Sequence, residues 1–195
     1  MIEVLPGVHV VPANDRTGFG YSHFVERDAG NVLLPRLKQA LLSDAYPDLE
    51  AAGGVSLLLI SDRHFGGPGC THCGEHFNAP VVASAVESKA IAKRCKVDTA
   101  LPLTAQTIAG TDIEVIPTPG HTPGQLAYLI EVKGRRCLFA GDFAYLSGGT
   151  WRPGNRSRKA MAKGIAALEG SSFDVYVHRG NEYRRARGRH PRGLH

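Results

Sequence analysis

Two stretches of this chain carry residue types and spacings that could do chemistry. The first is Pro117-Thr118-Pro119-Gly120-His121-Thr122-Pro123-Gly124-Gln125. Three prolines and two glycines in nine residues force tight, rigid turns, and those turns carry one imidazole, His121. A histidine held this firmly at the end of a strand suits a metal ligand or a general base. The competing reading is a turn with an incidental surface histidine. The second stretch is Cys70-Thr71-His72-Cys73-Gly74-Glu75-His76, a C-x-x-C pair with one histidine inside it and another three residues on. Thiolates and imidazoles at that spacing can share a zinc or serve redox chemistry. A zinc knuckle needs a fourth ligand, and the chain has no second C-x-x-C. A loop with free thiols is therefore the alternative.

The elements that must position these residues can be read in order. Leu5 to Val11 predicts an opening strand after a Pro6-Gly7 turn. Gly20–Glu26 and Asn31–Leu34 predict a hairpin around Asp28-Ala29-Gly30. His9 and His23 lie in these strand-like runs and read as packed or surface histidines. A helix from Leu37 to about Leu42 is interrupted by Pro47. Val55–Ile60 is an almost unbroken apolar run, the pattern of a strand buried on both faces. It ends in Ser61-Asp62-Arg63-His64-Phe65-Gly66-Gly67. Ala79–Ala83 predicts a short strand, followed by a helix from Ser84 to about Cys95, with Ser84 and Glu87 forming a capping box. Leu101–Ile108 and Ile113–Ile116 predict paired strands on the way into the His121 turn. Leu126–Val132, a Lys133-Gly134 hairpin and a strand through Arg136–Ala140 lead out of it to Gly141-Asp142. Gly148–Gly154 reads as a loop in which Trp151 lines a pocket. Ser157–Leu168 reads as a helix stopped by Gly170-Ser171-Ser172, and Phe173–Val177 as a last strand ending in His178-Arg179-Gly180.

With 195 residues, 43% of them hydrophobic and 21% charged, the chain predicts one globular domain with a substantial core. We place that domain at residues 1–183 and a basic tail at 184–195. No apolar stretch reaches membrane-spanning length, and Met1-Ile2-Glu3-Val4 is no signal peptide, so the expectation is a cytoplasmic protein without a membrane partner. Four cysteines in a chain this size make thiols or ligands, not a disulfide scaffold. The net charge of +5 is concentrated in Arg184, Arg185, Arg187, Arg189 and Arg192. A basic end can bind nucleic acid, but a solvated terminus is the reading preferred here. The expected partner is a small-molecule substrate. Oligomeric state is not readable.

Thr118-Pro119-Gly120-His121-Thr122-Pro123-Gly124-Gln125-Leu126-Ala127-Tyr128-Leu129-Ile130 and Cys137-Leu138-Phe139-Ala140-Gly141-Asp142-Phe143 resemble the third and fourth metal-binding motifs of the metallo-β-lactamase superfamily. The resemblance extends over nearly the whole chain. It implies an α+β fold, a four-layer αββα sandwich with a metal cleft at one edge between two sheets. In that family the turn histidine binds a metal and the strand-end aspartate can bridge two. The family places His-x-His-x-Asp-His directly after a buried strand. Here that place reads Asp62-Arg63-His64-Phe65-Gly66-Gly67. Asp62 takes the first histidine position and His64 the second, while Gly66 and Gly67 replace the aspartate and histidine that would hold a second metal. His178 is the nearest match to the family's last histidine ligand.

The resemblance thus implies a ligand set of Asp62, His64, His121 and Asp142, with His178 as a further candidate. It holds one divalent metal: zinc first, with manganese or iron as alternatives. A metal with an open position lowers the pKa of bound water, and the hydroxide attacks an ester, thioester, lactone or amide carbon. With no carboxylate at position 66, Asp142 is the remaining group to orient the water. The long extra segments of the family's nuclease and glyoxalase II branches are absent. Two alternatives stand beside this mononuclear hydrolase. One is a catalytically degenerate member that binds through its cleft; the other is a redox or structural-zinc protein centred on Cys70 and Cys73.

Overall fold

A computed structural model describes residues 1–11, 22–36, 39–147, 150–154, 158–177 and 183–185. Seven strands form the first sheet in sequential order: β1 (Ile2–Leu5), β2 (Val8–Val11), β3 (Ser22–Val25), β4 (Val32–Leu34), β5 (Leu57–Leu59), β6 (Val81–Ser84) and β7 (Thr99–Leu101). β1 to β4 pair antiparallel, and β4 to β7 pair parallel. Parallel neighbours need crossover connections. The crossovers are α1 (Gln39–Asp44) with α2 (Tyr46–Ala51), α3 (Pro68–Phe77) and α4 (Ala85–Ile91). The second sheet contains β8 (Gln106–Thr107), β9 (Glu114–Pro117), β10 (Leu126–Val132) and β11 (Arg135–Phe139). A separate hairpin follows, β12 (Ala144–Ser147) with β13 (Thr150–Pro153), then helix α5 (Arg158–Glu169). β14 (Val175–Val177) and β15 (Tyr183–Arg185) complete the second sheet in the order β15-β14-β11-β10-β9-β8.

Three apolar clusters define four layers. Val32, Leu59, Val82 and Leu101 of the first sheet meet Val115, Tyr128, Ile130, Phe139 and Val177 of the second. The opposite face of the first sheet, with Phe24, Leu33, Leu58 and Ile60, packs on Leu42, Tyr46, Leu49, Cys70, Cys73 and Ile91. The outer face of the second, with Ile116, Leu129, Leu138 and Tyr176, packs on Met161 and Leu168 of α5. The order helices, sheet, sheet, helix is the αββα sandwich. Alternation explains why the Val55–Ile60 run is apolar throughout. Leu57 and Leu59 face the inter-sheet core, and Leu58 and Ile60 face the helices.

Several local expectations change. Ile2–Leu5 is itself a strand, so Pro6-Gly7 turns a β1–β2 hairpin. Pro47 does not interrupt a helix but sits in the first turn of α2, where its missing N–H costs nothing. Leu101–Ile108 divides, β7 joining the first sheet and β8 the second, because the chain there crosses between layers. The helix after β6 ends at Ile91, short of Cys95. Ser84 caps it, its Oγ accepting the Val86 N–H at 3.2 Å, but Glu87 does not close a capping box and turns inward. Thr150–Pro153 is a strand of a hairpin and not a loop. The side chain of Trp151, His178 and the tail beyond Arg185 lie outside the described residues. Arg184 and Arg185, placed at the start of the tail, pair with Tyr176 and Val175.

The cysteine stretch is a helix, not a loop. Pro68 lies in the first turn of α3, and Asn78 closes it in the left-handed region at φ 52°. Cys70 and Cys73, three residues apart, therefore share a face, and that face is buried in the core. Burial pushes the Cys73 thiol up to about 12. The histidines point elsewhere: His72 Nδ1 lies 2.8 Å from Tyr46 Oη, and His76 Nε2 lies 2.8 Å from Glu50 Oε1. All four cysteines are free and buried. We expect native protein to give no rapid reaction with a chromogenic disulfide reagent at neutral pH, and four thiols on unfolding. Rapid labelling of Cys70 or Cys73 in the native state contradicts this packing.

Candidate metal centre

Three strand ends meet at one edge of the sandwich. β5 runs out into Ser61-Asp62, β9 into the His121 turn, and β11 into Gly141-Asp142. Hydrogen bonds tie the three together. The Leu126 N–H, leaving the turn, donates to Ser61 O at 2.9 Å. Tyr128 Oη donates across the inter-sheet core to Ile60 O at 2.9 Å. The buried Gln125 side chain donates to Ala140 O at 3.2 Å. Gly141 makes the junction possible. It has φ 54°, and a Cβ there would lie 2.7 Å from Ser61 Cβ, too close for any other residue.

Asp62, His64, His121 and Asp142 come together here. One donor atom from each lies within 4.8 Å of the others, and among the described residues no other group of His, Cys, Asp or Glu could hold a metal ion in this way. Cys70, His72, Cys73 and His76 do not form such a group among those residues.

Each donor is aimed by its surroundings. The His121 ring bonds through Nδ1 to the carbonyl of Gly154. A carbonyl can only accept, so Nδ1 carries the proton and Nε2 presents a lone pair. That nitrogen faces His64 Nδ1 at 3.0 Å and Asp142 Oδ2 at 3.6 Å. Asp62 is 1% exposed. Its Oδ1 accepts the His64 backbone N–H at 2.7 Å and lies 3.1 Å from His64 Nδ1, which folds the loop so that His64 points at His121. Its Oδ2 is buried without a hydrogen-bond partner. A buried carboxylate oxygen left bare is costly. Asp62, with one oxygen unpartnered, stands in a cluster with two imidazoles and a second carboxylate, a set that fits a divalent cation. The donor set, two imidazole nitrogens and two carboxylates, matches zinc and does not exclude manganese or iron.

The two glycines of the altered motif differ. A Cβ at Gly66 would lie 2.7 Å from Ile91 Cγ2, whereas Gly67 has open space around it. Ile91 thus fills the room that a longer side chain at 66 would need.

Two charged residues around this site were not assigned to it from the sequence. Arg36, just past β4, makes a forked ion pair with Asp142: Nη1 to Oδ1 at 2.9 Å and Nη2 to Oδ2 at 3.4 Å. Glu87 of α4 is fully buried. It accepts the Gly124 N–H at 2.7 Å and pairs with the Arg63 guanidinium, so it joins the Asp62–His64 loop to the His121 turn. A Ser-x-x-Glu pattern hid it, because such a glutamate most simply reads as a cap.

No known family profile matches the chain. Its structural neighbours are metallo-β-lactamases. One from Cronobacter sakazakii, described by a HARLDQ motif, superposes with a TM-score of 0.69 at 18% identity, over 91% of this chain and 76% of the neighbour. The class B3 di-zinc enzyme LRA-12 from an Alaskan soil metagenome gives 0.67 at 15% identity, over 91% and 77%. GOB-18 from Elizabethkingia meningoseptica gives 0.67 at 13% identity, over 91% and 75%. The chain therefore has the metallo-β-lactamase fold. The expected αββα architecture stands.

Proposed function

We propose that the protein is a mononuclear metal-dependent hydrolase whose metal is held by Asp62, His64, His121 and Asp142. The observation that carries this reading is the cluster of four donors, one of which, Asp62, keeps a buried carboxylate oxygen without a hydrogen-bond partner. A metal bound there supplies Lewis acidity and brings a water toward neutral pKa. The chain's own residues do the rest. The Gly154 carbonyl and Asp62 orient the His121 and His64 rings toward the place the metal would take. Asp142 would orient the attacking water and take its proton on whichever carboxylate oxygen the metal leaves free. The substrate is a small molecule with an ester, thioester, lactone or amide carbon. No helix among the described residues is long and apolar enough to cross a membrane, which is compatible with the cytoplasmic location we favour.

The test is elemental analysis after loading with zinc, manganese or iron, paired with a panel of those four substrate classes. One metal per chain and metal-dependent hydrolysis are expected. His178→Ala should leave metal content unchanged, since the four donors above suffice. Two tightly held metals sink the mononuclear reading. One further observation favours the second reading, a binding protein without catalysis: the Arg36–Asp142 pair balances one carboxylate within the protein. No metal under any loading condition promotes it.

A further inference from the structure

We infer that Arg36 is an internal counter-cation that competes with the metal for Asp142, and so sets how tightly the site holds it. This rests on the metal-site reading above. The pair is built, not incidental. Both carboxylate oxygens of Asp142 face the guanidinium fork, a geometry that fixes direction as well as charge. The Arg36 side chain is 16% exposed and that of Asp142 is 6%. Water therefore screens the pair little.

Arg36 is itself held from two sides. Its backbone N–H donates to the buried Ser22 Oγ at 2.6 Å. Its guanidinium carbon lies 4.6 Å from the centroid of the Phe65 ring, within cation–π range. Phe65 lies between His64 and Gly66, so the altered motif supplies the ring that steadies the arginine. The motif has lost donors at positions 66 and 67, and a fixed positive charge now stands at the carboxylate that the resemblance would have bridging two metals.

The charge balance gives the consequence. Asp62 and Asp142 together carry two negative charges, and Arg36 cancels one before any metal arrives. A divalent ion must then share Asp142 with a cation already a hydrogen bond away. An opposite charge at that distance is worth roughly one to three powers of ten in a carboxylate's proton affinity. A metal competing for the same oxygens meets a penalty of the same kind. Removing the charge should therefore tighten metal binding, whereas removing a merely supporting residue would loosen it.

The experiment is a zinc titration of the full chain against a chromophoric chelator, for wild type, Arg36→Met and Arg36→Lys, with thermal melts of each protein with and without zinc. Arg36→Met should bind zinc about tenfold tighter or more, and Arg36→Lys, which keeps the charge, should stay near wild type. Zinc-free Arg36→Met should melt lower than wild type and gain more on zinc addition, since a ligand stabilises by its affinity for the folded state. If the methionine variant is insoluble, Arg36→Gln replaces it with the same expectation. Equal or weaker zinc binding by the uncharged variant, with wild type still binding one metal, overturns this inference and leaves the proposed function standing. Binding by the variant alone supports the inference and overturns the proposed function. Binding by neither overturns both.

Discussion

His121→Ala abolishes metal binding: affinity should fall by more than about a hundredfold, beyond the roughly tenfold to hundredfold that losing an outer partner costs. The reason lies in how singular this donor is. Its turn is closed by Thr118 N–H to Gln125 O at 2.9 Å and Gly120 N–H to Thr122 O at 3.1 Å, and its tautomer is set by the Gly154 carbonyl. The other three donors each already occupy a place in the cluster, so none replaces the lost imidazole. The fold should survive, since the turn's backbone bonds do not involve the imidazole. Zinc titration and a far-ultraviolet dichroism spectrum check both halves. Retained tight zinc binding with an intact fold would show that the cluster is not the metal centre.

Glu87→Ala is the second large effect. It removes the acceptor for the Gly124 N–H and leaves Arg63 unpaired at its buried partner. Truncating one member of a buried charged network costs about 2 to 4 kcal/mol, or roughly 5 to 15 °C in melting temperature for a chain of this size. Zinc affinity should fall as well, because Glu87 bridges the loop of His64 and the turn of His121. Glu87→Gln keeps an acceptor for Gly124 and should lose less. The pH dependence separates the charge from the shape. Burial works against ionisation of Glu87, but the Arg63 hydrogen bonds, the Gly124 N–H and the Arg63 charge outweigh it, and the carboxyl titrates below its ordinary 4.5. A carboxylate more acidic in the folded state stabilises fully above its unfolded value and ceases to do so as pH falls through the lowered folded one. Wild type should therefore lose stability on acidification below about 4.5, and Glu87→Gln should lose less over that window. A variant that melts with wild type at neutral pH would show that this network contributes nothing.

Much of the site was written locally. The His121 turn follows from its prolines and glycines, and the buried β5 from an apolar run with no polar interruption. Asp142 follows from a short strand ending in glycine and aspartate. These are facts about neighbours in the chain, and neighbours determine strands, turns and where a strand end exposes a side chain. The sequence by itself also determined that positions 66 and 67 offer no donor. The tertiary structure alone decided what those donors meet. Arg36 reaches Asp142 across 106 positions of sequence, Gly154 reaches His121 across 33, and Glu87 reaches Gly124 across 37. It also turned Cys70 and Cys73 from an open loop into a buried helix face, apart from the four-donor cluster. The physical reason is common to all of these. A charge or a buried thiol has no period in the sequence, and its role depends on which partner the packing of two sheets and their helices brings within about 3 Å of it, the reach of a hydrogen bond.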